Sequence, residues 1–382
     1  MQYSDIIRVP QFWLLVLVGL ALGVYRKSGQ TKVLKTSLQI SEKKVEPNLE
    51  DAYYQIEPLS DFDVDSTEPI KIRPFKPKYH ITMALENLTF SELVPMDKTY
   101  RSRIQLRRQL LRDQQKDVLA ANPVVTPAVQ EFYTWIAGTY LPQRYPTMFK
   151  IFQSTDEKSQ PQLQNLITSE NLPLQSPETA HEALRLIGEN VDTDFLFLLP
   201  STDPEDEGKY RLEGFITCFP SGFATARKLN LKLADIHAPV PGYKDKLEKS
   251  MDRFFANLPV GKLVRRVNWS ITTTTQLCLL GGTHLTEEQA EQGAAAMQAE
   301  EVDIEKTVLR CERQTLHRLP KSKALVFQFK TYQYGMKGLK DEGSGERLVE
   351  AIDGLGAGNA PGMRVYKRQV VWGEAVKEYL TS

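Results

Sequence analysis

The chain has 382 residues, and its 48 lysine and arginine residues balance its 48 aspartate and glutamate residues. This zero formal net charge excludes a globally basic nucleic-acid-binding protein, so no nucleic-acid partner is expected. A hydrophobic content of 41% is that of a globular protein and excludes wholesale disorder. The three cysteines are far apart, which excludes a disulfide framework and a cysteine-ligated iron–sulfur cluster.

An apolar run without charges, residues 12–25, lies near the start of the chain. With two isoleucines upstream it approaches the roughly 20 residues that a helix needs to cross a bilayer. A cleaved signal peptide is the main alternative, because residues 21–23 (ALG) resemble a cleavage site. The basic residues that follow favour an anchor with the rest of the chain in the cytosol. We therefore expect a single transmembrane helix in residues 1–27 and a single-pass membrane protein, by default of the endoplasmic reticulum.

Residues 28–74 are polar and contain prolines, which predicts a linker between the anchor and the folded part. A helical part is expected from residue 75 to residue 190. Its segment Met96 to Leu119 is rich in arginine and is interpreted as an amphipathic helix with a solvated basic face. Contact with phosphate or anionic lipid is the alternative for this face. Two further helices are predicted, at Val129 to Leu141 and at Ala180 to Gly188. Residues 154–178 are predicted to form a loop.

The hydrophobic period changes near residue 194 to the alternation that is typical of strands. Five strands are predicted, at Phe195 to Leu199, Tyr210 to Phe219, Leu263 to Thr273, Val308 to Leu316 and Leu325 to Tyr334. An apolar stripe from Tyr243 to Leu258 predicts one core-facing helix. Short turns favour an antiparallel sheet over residues 194–334 with helices on one side, so the fold class is α+β. Residues 335–382 are expected to form a helical extension.

The segment IHAPVPG at residues 236–242 holds one histidine, His237, just before two prolines. Proline restricts the backbone, so the imidazole stands in a constrained position. A neutral imidazole there could ligate a metal or a haem iron, and a structural, hydrogen-bonding histidine is the alternative. No second ligand stands at metal spacing, which argues against a zinc site.

Two predicted strands carry unusually many polar and charged residues, RRVNWS at residues 265–270 and LRCERQTLHRLP at residues 309–320. Alternation places Arg266 and Asn268 on one face of the first strand. In the second strand it places Glu312 and Arg313 on opposite faces. Such charges are costly in a central strand unless they are paired or used on a ligand. A cross-strand ion-pair lattice and a ligand site are the two alternatives.

These segments, in this order and together with PQRYP at 142–146 and CFPS at 218–221, resemble the haem-dependent oxidative N-demethylase alpha-subunit-like family. The resemblance runs from about Phe75 to Tyr334. The fungal, membrane-anchored branch of the family is also similar at the N-terminal anchor and in the tail from Asn359 to Trp372. The resemblance implies a PAS-like antiparallel sheet, flanked by helices within residues 75–334, that holds haem b.

The resemblance also implies a monooxygenase-like oxidoreductase that oxidises a small amine or metabolite, for example by oxidative N-demethylation. Its electrons would originate from NADPH and arrive through a separate reductase. The implied site residues are His237 as metal ligand and cofactor contact, Arg266 and Asn268 as cofactor contacts, and Glu312 and Arg313 as catalytic groups. His317 is the second choice for the iron ligand. The alternative function is a non-catalytic, PAS-like sensor that binds haem or another small molecule.

Overall fold

The alternating residues after position 194 build the centre of the fold, a seven-stranded sheet. The computed structural model describes residues 50–153, 160–298 and 302–382, with the side chains of residues 293–298 excepted. Neighbouring strands of this sheet are all antiparallel. Within the described residues the fold is therefore α+β with a large antiparallel sheet.

The strands of the described residues are numbered in chain order. They are β1 (Glu86–Leu88), β2 (Leu119–Ala121), β3 (Phe149–Phe152), β4 (Gln162–Asn165), β5 (Glu170–Pro173), β6 (Asp194–Pro200), β7 (Tyr210–Ile216), β8 (Leu263–Thr272), β9 (Val308–Arg318) and β10 (Leu325–Gly335). The large sheet has the order β1-β8-β9-β10-β6-β7-β2, and β3, β4 and β5 form a small second sheet.

The α-helices of the described residues are numbered in the same way. They are α1 (Tyr100–Asp113), α2 (Gln115–Val118), α3 (Thr126–Trp135), α4 (Leu141–Arg144), α5 (Ala180–Asn190), α6 (Leu233–Ile236), α7 (Tyr243–Lys246), α8 (Glu248–Asn257), α9 (Glu287–Gln298), α10 (Met336–Asp341), α11 (Gly345–Asp353), α12 (Met363–Tyr366) and α13 (Gln369–Thr381). A turn of π-helix, Ile136–Tyr140, joins α3 to α4.

The five predicted strands are confirmed as β6 to β10, with ends that differ by up to three residues. Two other predictions were wrong. The segment 154–178, expected as a loop, contains β4 and β5, whose short polar runs give little hydrophobic signal. The single helix expected after Tyr243 is divided into α7 and α8 at Leu247. The strands β1 and β2 of the large sheet come from the part of the chain that was predicted to be helical. The predicted division into a helical part, residues 75–190, and a sheet part, residues 194–334, stays a prediction.

In residues 50–153, 160–298 and 302–382, every helix is too short or too polar to span a bilayer. The longest of these, α1, has 14 residues and five arginines. At about 1.5 Å per residue it would extend about 21 Å, less than the roughly 30 Å of a bilayer core. The predicted transmembrane helix and the single-pass membrane localisation derived from it are corrected accordingly. The residues of the predicted anchor, 1–27, lie outside the described residues.

The large sheet has two faces that differ in what covers them. One face, which we call the helical face, carries Phe195 and Phe197 and packs on a core that includes residues of α1, α3 and α5. The other, which we call the cavity face, carries Leu198 and Leu316 and packs against α8 and α12. The prediction of a solvated basic face on the helix in this segment is corrected in part, because Arg103 and Arg107 of α1 are buried under the helical face while Arg101 and Arg112 are exposed.

Candidate functional site

A cavity of about 270 Å³ lies on the cavity face of the large sheet. Its floor comes from strands β6 to β10, and its walls come from residues 79–85, the segment around α6 to α8 and the C-terminal tail. Most of the lining side chains are apolar. The polar groups that matter most for chemistry are His237, His284, Lys228, Arg266, Asn268, Glu312 and Lys367. A mostly apolar cavity with a few converging polar groups is the usual form of a small-molecule site.

His237 follows α6 directly, and its ring stacks on Tyr243 with 4.7 Å between the ring centroids. Its Nδ1 lies 2.8 Å from the carbonyl oxygen of Leu233. A carbonyl can only accept, so Nδ1 carries the proton and Nε2 keeps its lone pair. Burial lowers the pKa of His237 to about 4, so the ring is neutral at neutral pH. This is the form in which histidine binds a metal.

Arg266 of β8 is a half-buried cation that has no hydrogen-bonded or ion-paired partner among the described residues. Among the described residues, none accepts a hydrogen bond from its guanidinium, and its Nε is buried. Burial lowers the pKa of Arg266. The nearby Tyr79 and Glu312 raise this pKa, but their effect is smaller than that of burial. Since an unpaired buried charge is costly, this guanidinium is set up to bind an anion.

Two lysines add positive charge to the same cavity. The Nζ of Lys228 lies 3.2 Å from the centroid of the Phe223 ring and makes a long, 3.4 Å hydrogen bond to a carbonyl oxygen. Burial lowers the pKa of Lys228 to about 7. Lys367 of the tail donates to Asn268 Oδ1 at 3.1 Å and to the carbonyl oxygen of Trp269. Burial lowers the pKa of Lys367 to about 8, although Glu312 opposes this effect.

Glu312 of β9 lies opposite Asn268 of β8 in the sheet register. Its Oε2 accepts a hydrogen bond from Nε2 of Gln314 at 2.9 Å. Of the described residues that line the cavity, Glu312 is the only one with a carboxylate. Three lining cations, Arg266 and the two lysines, thus face one carboxylate, which leaves a formal excess of two positive charges. The further lining cation, Arg265, is already paired with Glu86 at 2.9 Å.

The structure thus brings together His237, Arg266, Asn268 and Glu312, and it does not bring Arg313 to them. Arg313 lies on the helical face, where it donates to the carbonyl oxygen of Glu92 at 2.8 Å. His317, the second choice for the iron ligand, is fully buried in the helical-face core. Its Nε2 lies 3.2 Å from the hydroxyl of Tyr53, and its ring packs against Phe90, Phe132 and Trp135.

Sequence reasoning missed His284, which lies in a loop before α9 and lines the cavity. Its ring packs against Tyr366 and Phe223, with centroid distances of 4.4 and 5.0 Å. Burial lowers the pKa of His284 to about 3. The loop lies close to Gly222 (φ +73°), because a Cβ at that position would lie only 1.9 Å from Thr283 Oγ1.

The C-terminal tail, expected only as an extension, forms part of the cavity wall through Tyr366 and Lys367. Its glycine-rich loop packs directly on the backbone of the opposite wall. A Cβ on Gly358 would lie 1.4 Å from the carbonyl oxygen of Tyr79, so only glycine fits there. Asn359 Oδ1 also accepts a hydrogen bond from the backbone N–H of Ile81 at 2.7 Å. The glycine cluster of this loop was the available sequence signal for this contact.

The donor set of the cavity also limits the kind of metal site that it could form. The described residues contain no group of three or more histidine, cysteine, aspartate or glutamate side chains that could hold a metal ion. A metal that arrives in a macrocycle already has its equatorial ligands and needs only an axial donor from the protein. His237 offers such a donor inside an apolar cavity.

A family model described as "Haem-dependent oxidative N-demethylase, alpha subunit-like" matches residues 84–377, most of the chain. This match confirms the resemblance that the sequence motifs indicated, while the fungal branch stays a prediction. The matched range extends beyond Tyr334 into the tail and includes both Tyr366 and Lys367. It also contains His237, Arg266 and Glu312 of the cavity.

Proposed function

We propose a function from the premise that this chain belongs to the haem-dependent oxidative N-demethylase alpha-subunit-like family. At the level of the family, it is a haem-dependent, oxidative N-demethylase-like enzyme that acts on a small molecule. Our proposal is that the cavity on the large sheet would hold haem b through the imidazole of His237, and that an amine is oxidised there.

The observation that carries this proposal is a neutral imidazole in an apolar cavity whose cationic side chains outnumber its one carboxylate. Haem b has an apolar ring system that such walls accommodate, and two propionates that match the excess charge. The Nε2 lone pair of His237 is free for iron because Nδ1 is bonded to Leu233. The unpaired guanidinium of Arg266 suits a carboxylate, since its planar fork binds both oxygens. These residues fit the group.

When bound, haem supplies the redox chemistry with dioxygen that oxidises an N-methyl group and yields formaldehyde and the shorter amine. The residues of the chain perform the rest. Arg266 and the lysines would pair with the propionates, so the carboxylate of Glu312 would remain available for a substrate ammonium. The hydrogen bond from Gln314 fixes Oε2 of Glu312, so its other oxygen can accept a proton from the substrate nitrogen. The apolar walls exclude water from this exchange.

A separate reductase is proposed to deliver the electrons, which originate from NADPH. The sequence contains no nicotinamide or flavin motif, and its cysteines are too few for an iron–sulfur relay. The description of the matching family as alpha subunit-like supports a further subunit of this kind.

The test is an absorption spectrum of the full chain after haem reconstitution. We expect a Soret band, and we expect His237→Ala to change or abolish it, with recovery on addition of imidazole. The exposed His181 gives the matched control, His181→Ala, which should not alter the spectrum. If the protein takes up no haem, the proposal is wrong. If the spectrum of His237→Ala is unchanged, His237 is not the ligand of the iron.

Turnover is measured separately, as NADPH-dependent formaldehyde release with a surrogate reductase and a panel of methylamines. Formaldehyde release that Glu312→Gln lowers, without loss of haem, would support the role of the carboxylate. Reducible haem without turnover on any amine of the panel would favour the alternative, a haem-binding sensor.

A further inference from the structure

Two imidazoles, those of His237 and His284, line the same cavity and have different hydrogen-bond partners. At His237 the partner is a carbonyl oxygen, which can only accept. At His284 the partner of Nδ1 is the hydroxyl of Thr283, at 3.1 Å, which can either donate or accept. The choice at Thr283 therefore decides which nitrogen of His284 carries the proton.

The surroundings of Thr283 favour one choice. Its side chain is largely buried, and the described residues offer its hydroxyl no other hydrogen-bond partner. If Nδ1 of His284 carried the proton, the hydroxyl hydrogen would have no acceptor, which is costly for a buried group. If the hydroxyl donates to Nδ1, this cost disappears and the proton of the ring lies on Nε2. The two imidazoles are thus held in opposite tautomers.

We propose that His284 uses its Nε2–H to donate a hydrogen bond to the small ligand that binds at the haem iron, whose axial protein ligand is His237. This inference rests on the proposed function, because it requires haem in the cavity. His237 would then provide a lone pair to the iron, and His284 would provide a hydrogen-bond donor to the small ligand.

The packing around His284 supports a fixed donor. Its ring is held between Tyr366 and Phe223, and Gly222 leaves room for the contact between Thr283 and the ring. A Cβ on Gly222 would lie 2.6 Å from Nδ1 of His284. Burial lowers the pKa of His284 and keeps its imidazole neutral, so it can donate a hydrogen bond without adding a positive charge beside the iron. A rigid neutral donor is suited to a small uncharged ligand.

The first experiment needs no haem. The chain has five histidines, so ¹⁵N spectra of the full chain labelled at histidine contain five ring systems, which single His→Gln variants assign. We expect His284 with its proton on Nε2 and His237 with its proton on Nδ1. Thr283→Val should release the tautomer of His284, while Thr283→Ser should keep it. The same tautomer at both histidines would overturn the inference.

The second experiment uses carbon monoxide and cyanide as probes of the reconstituted protein. His284→Leu should raise the C–O stretching frequency of the ferrous complex and weaken cyanide binding about three- to tenfold, as expected for one lost hydrogen bond. His284→Gln, which keeps a donor, should recover part of the shift. His181→Leu serves as the control and should leave both readouts unchanged.

The outcomes separate this inference from the proposed function. Absence of a Soret band in the unaltered protein would remove the proposed function, whatever the tautomers are. A Soret band that depends on His237, with a C–O frequency unaffected by His284→Leu, would overturn the role of His284 alone. A low-spin, bis-histidine type of spectrum in the unaltered protein that is lost in His284→Leu would make His284 a ligand and overturn the tautomer assignment.

Discussion

The two faces of the large sheet carry similar charges and differ in whether these charges have partners. On the helical face, Arg107 and Asp194 pair at 2.5 Å with both side chains buried. Lys330 lies between Asp97 and Asp192, at 2.9 and 3.0 Å. For these pairs, burial of the charges is compensated by the opposite charge and by hydrogen bonds to backbone carbonyls.

The cavity face is arranged in the opposite way. Arg266 makes no hydrogen bond to any described residue, and Lys228 makes one long bond to a carbonyl oxygen. Half-buried cations with few hydrogen-bond partners are costly to a protein, so their presence beside a cavity indicates that a bound anion completes the site. The comparison teaches that the density of charged residues alone does not locate a binding site. The site is marked instead by charged side chains that lack hydrogen-bond or ion-pair partners.

The largest effect is expected from breaking a compensated pair on the helical face. Arg107→Met leaves the carboxylate of Asp194 buried without its partner, which should lower the free energy of unfolding by about 3–5 kcal/mol. The control is Arg185→Met, which breaks the half-exposed helical pairs with Glu182 and Glu189 and should cost less than about 1 kcal/mol. Urea unfolding measures both. Equal losses would show that burial of the pair does not matter.

Acid should destabilise the protein through its buried histidines. Burial lowers the pKa of His317 on the helical face to about 3, against about 6.5 in the unfolded chain. Between these values the unfolded state binds one more proton than the folded state, so stability is full above pH 6.5 and falls as the pH falls. His317 alone should contribute a loss of about 2 kcal/mol between pH 6.5 and pH 5.

His317→Leu should remove this contribution, so that urea unfolding at pH 7, 6 and 5 gives a shallower dependence on pH. The exposed His181 provides the control, and His181→Leu should leave the slope as it is. A slope that is the same in all three proteins would mean that His317 titrates normally in the fold.

A pair of arginine variants tests the comparison of the faces directly. Arg313→Met leaves the carbonyl oxygen of Glu92 without its donor and should cost about 1–3 kcal/mol of stability. It should not change haem affinity. Arg266→Met should do the reverse, with unchanged or increased stability of the haem-free protein and about tenfold weaker haem binding. Urea unfolding and haem titration of both variants give two stabilities and two haem affinities. If both variants lose stability and neither changes haem affinity, the two faces do not differ in the way described.

Much of the sheet could be predicted from the sequence because its strands alternate clearly. In β8 the placement of Arg266 and Asn268 on one face, where both line the cavity, follows from the period of two alone. The alternation also separated Glu312 from Arg313, which lie on opposite faces in the structure. What alternation cannot give is which face holds the cavity. That depends on the elements that cover each face, so the family resemblance included Arg313 among the site residues although it lies on the other face.

The rest of the site depends on contacts between distant parts of the chain. Lys367 approaches Asn268 across 99 positions, and the tail is held to residues 79–81 by the close approach of Gly358. His284 lies in a loop without periodicity, so only its place in the folded chain distinguishes it from the exposed His181. The predicted anchor failed for a different reason: it was inferred from composition alone, and no described helix has the required length and apolarity.

The smallest effect is expected at Lys228, where the question is whether a bound anion completes its surroundings. Burial lowers the pKa of Lys228 to about 7, so a propionate beside it would raise this pKa and binding would take up a proton. Haem affinity should therefore decrease as the pH rises from 7 to 9. Lys228→Met should weaken binding about threefold at pH 7 and flatten this dependence.

The exposed lysine Lys244 gives the control, and Lys244→Met should retain the full pH dependence. Haem dimethyl ester, which lacks the propionate charges, should bind with little dependence on pH to both proteins. Lys367, whose pKa lies at about 8, would account for any dependence that Lys228→Met retains. Since Lys367 is held by Asn268 and Trp269, its share should be the smaller one. Identical pH profiles for the unaltered protein and Lys228→Met would mean that this lysine does not face the anion, and the charge match would then rest on Arg266 and Lys367.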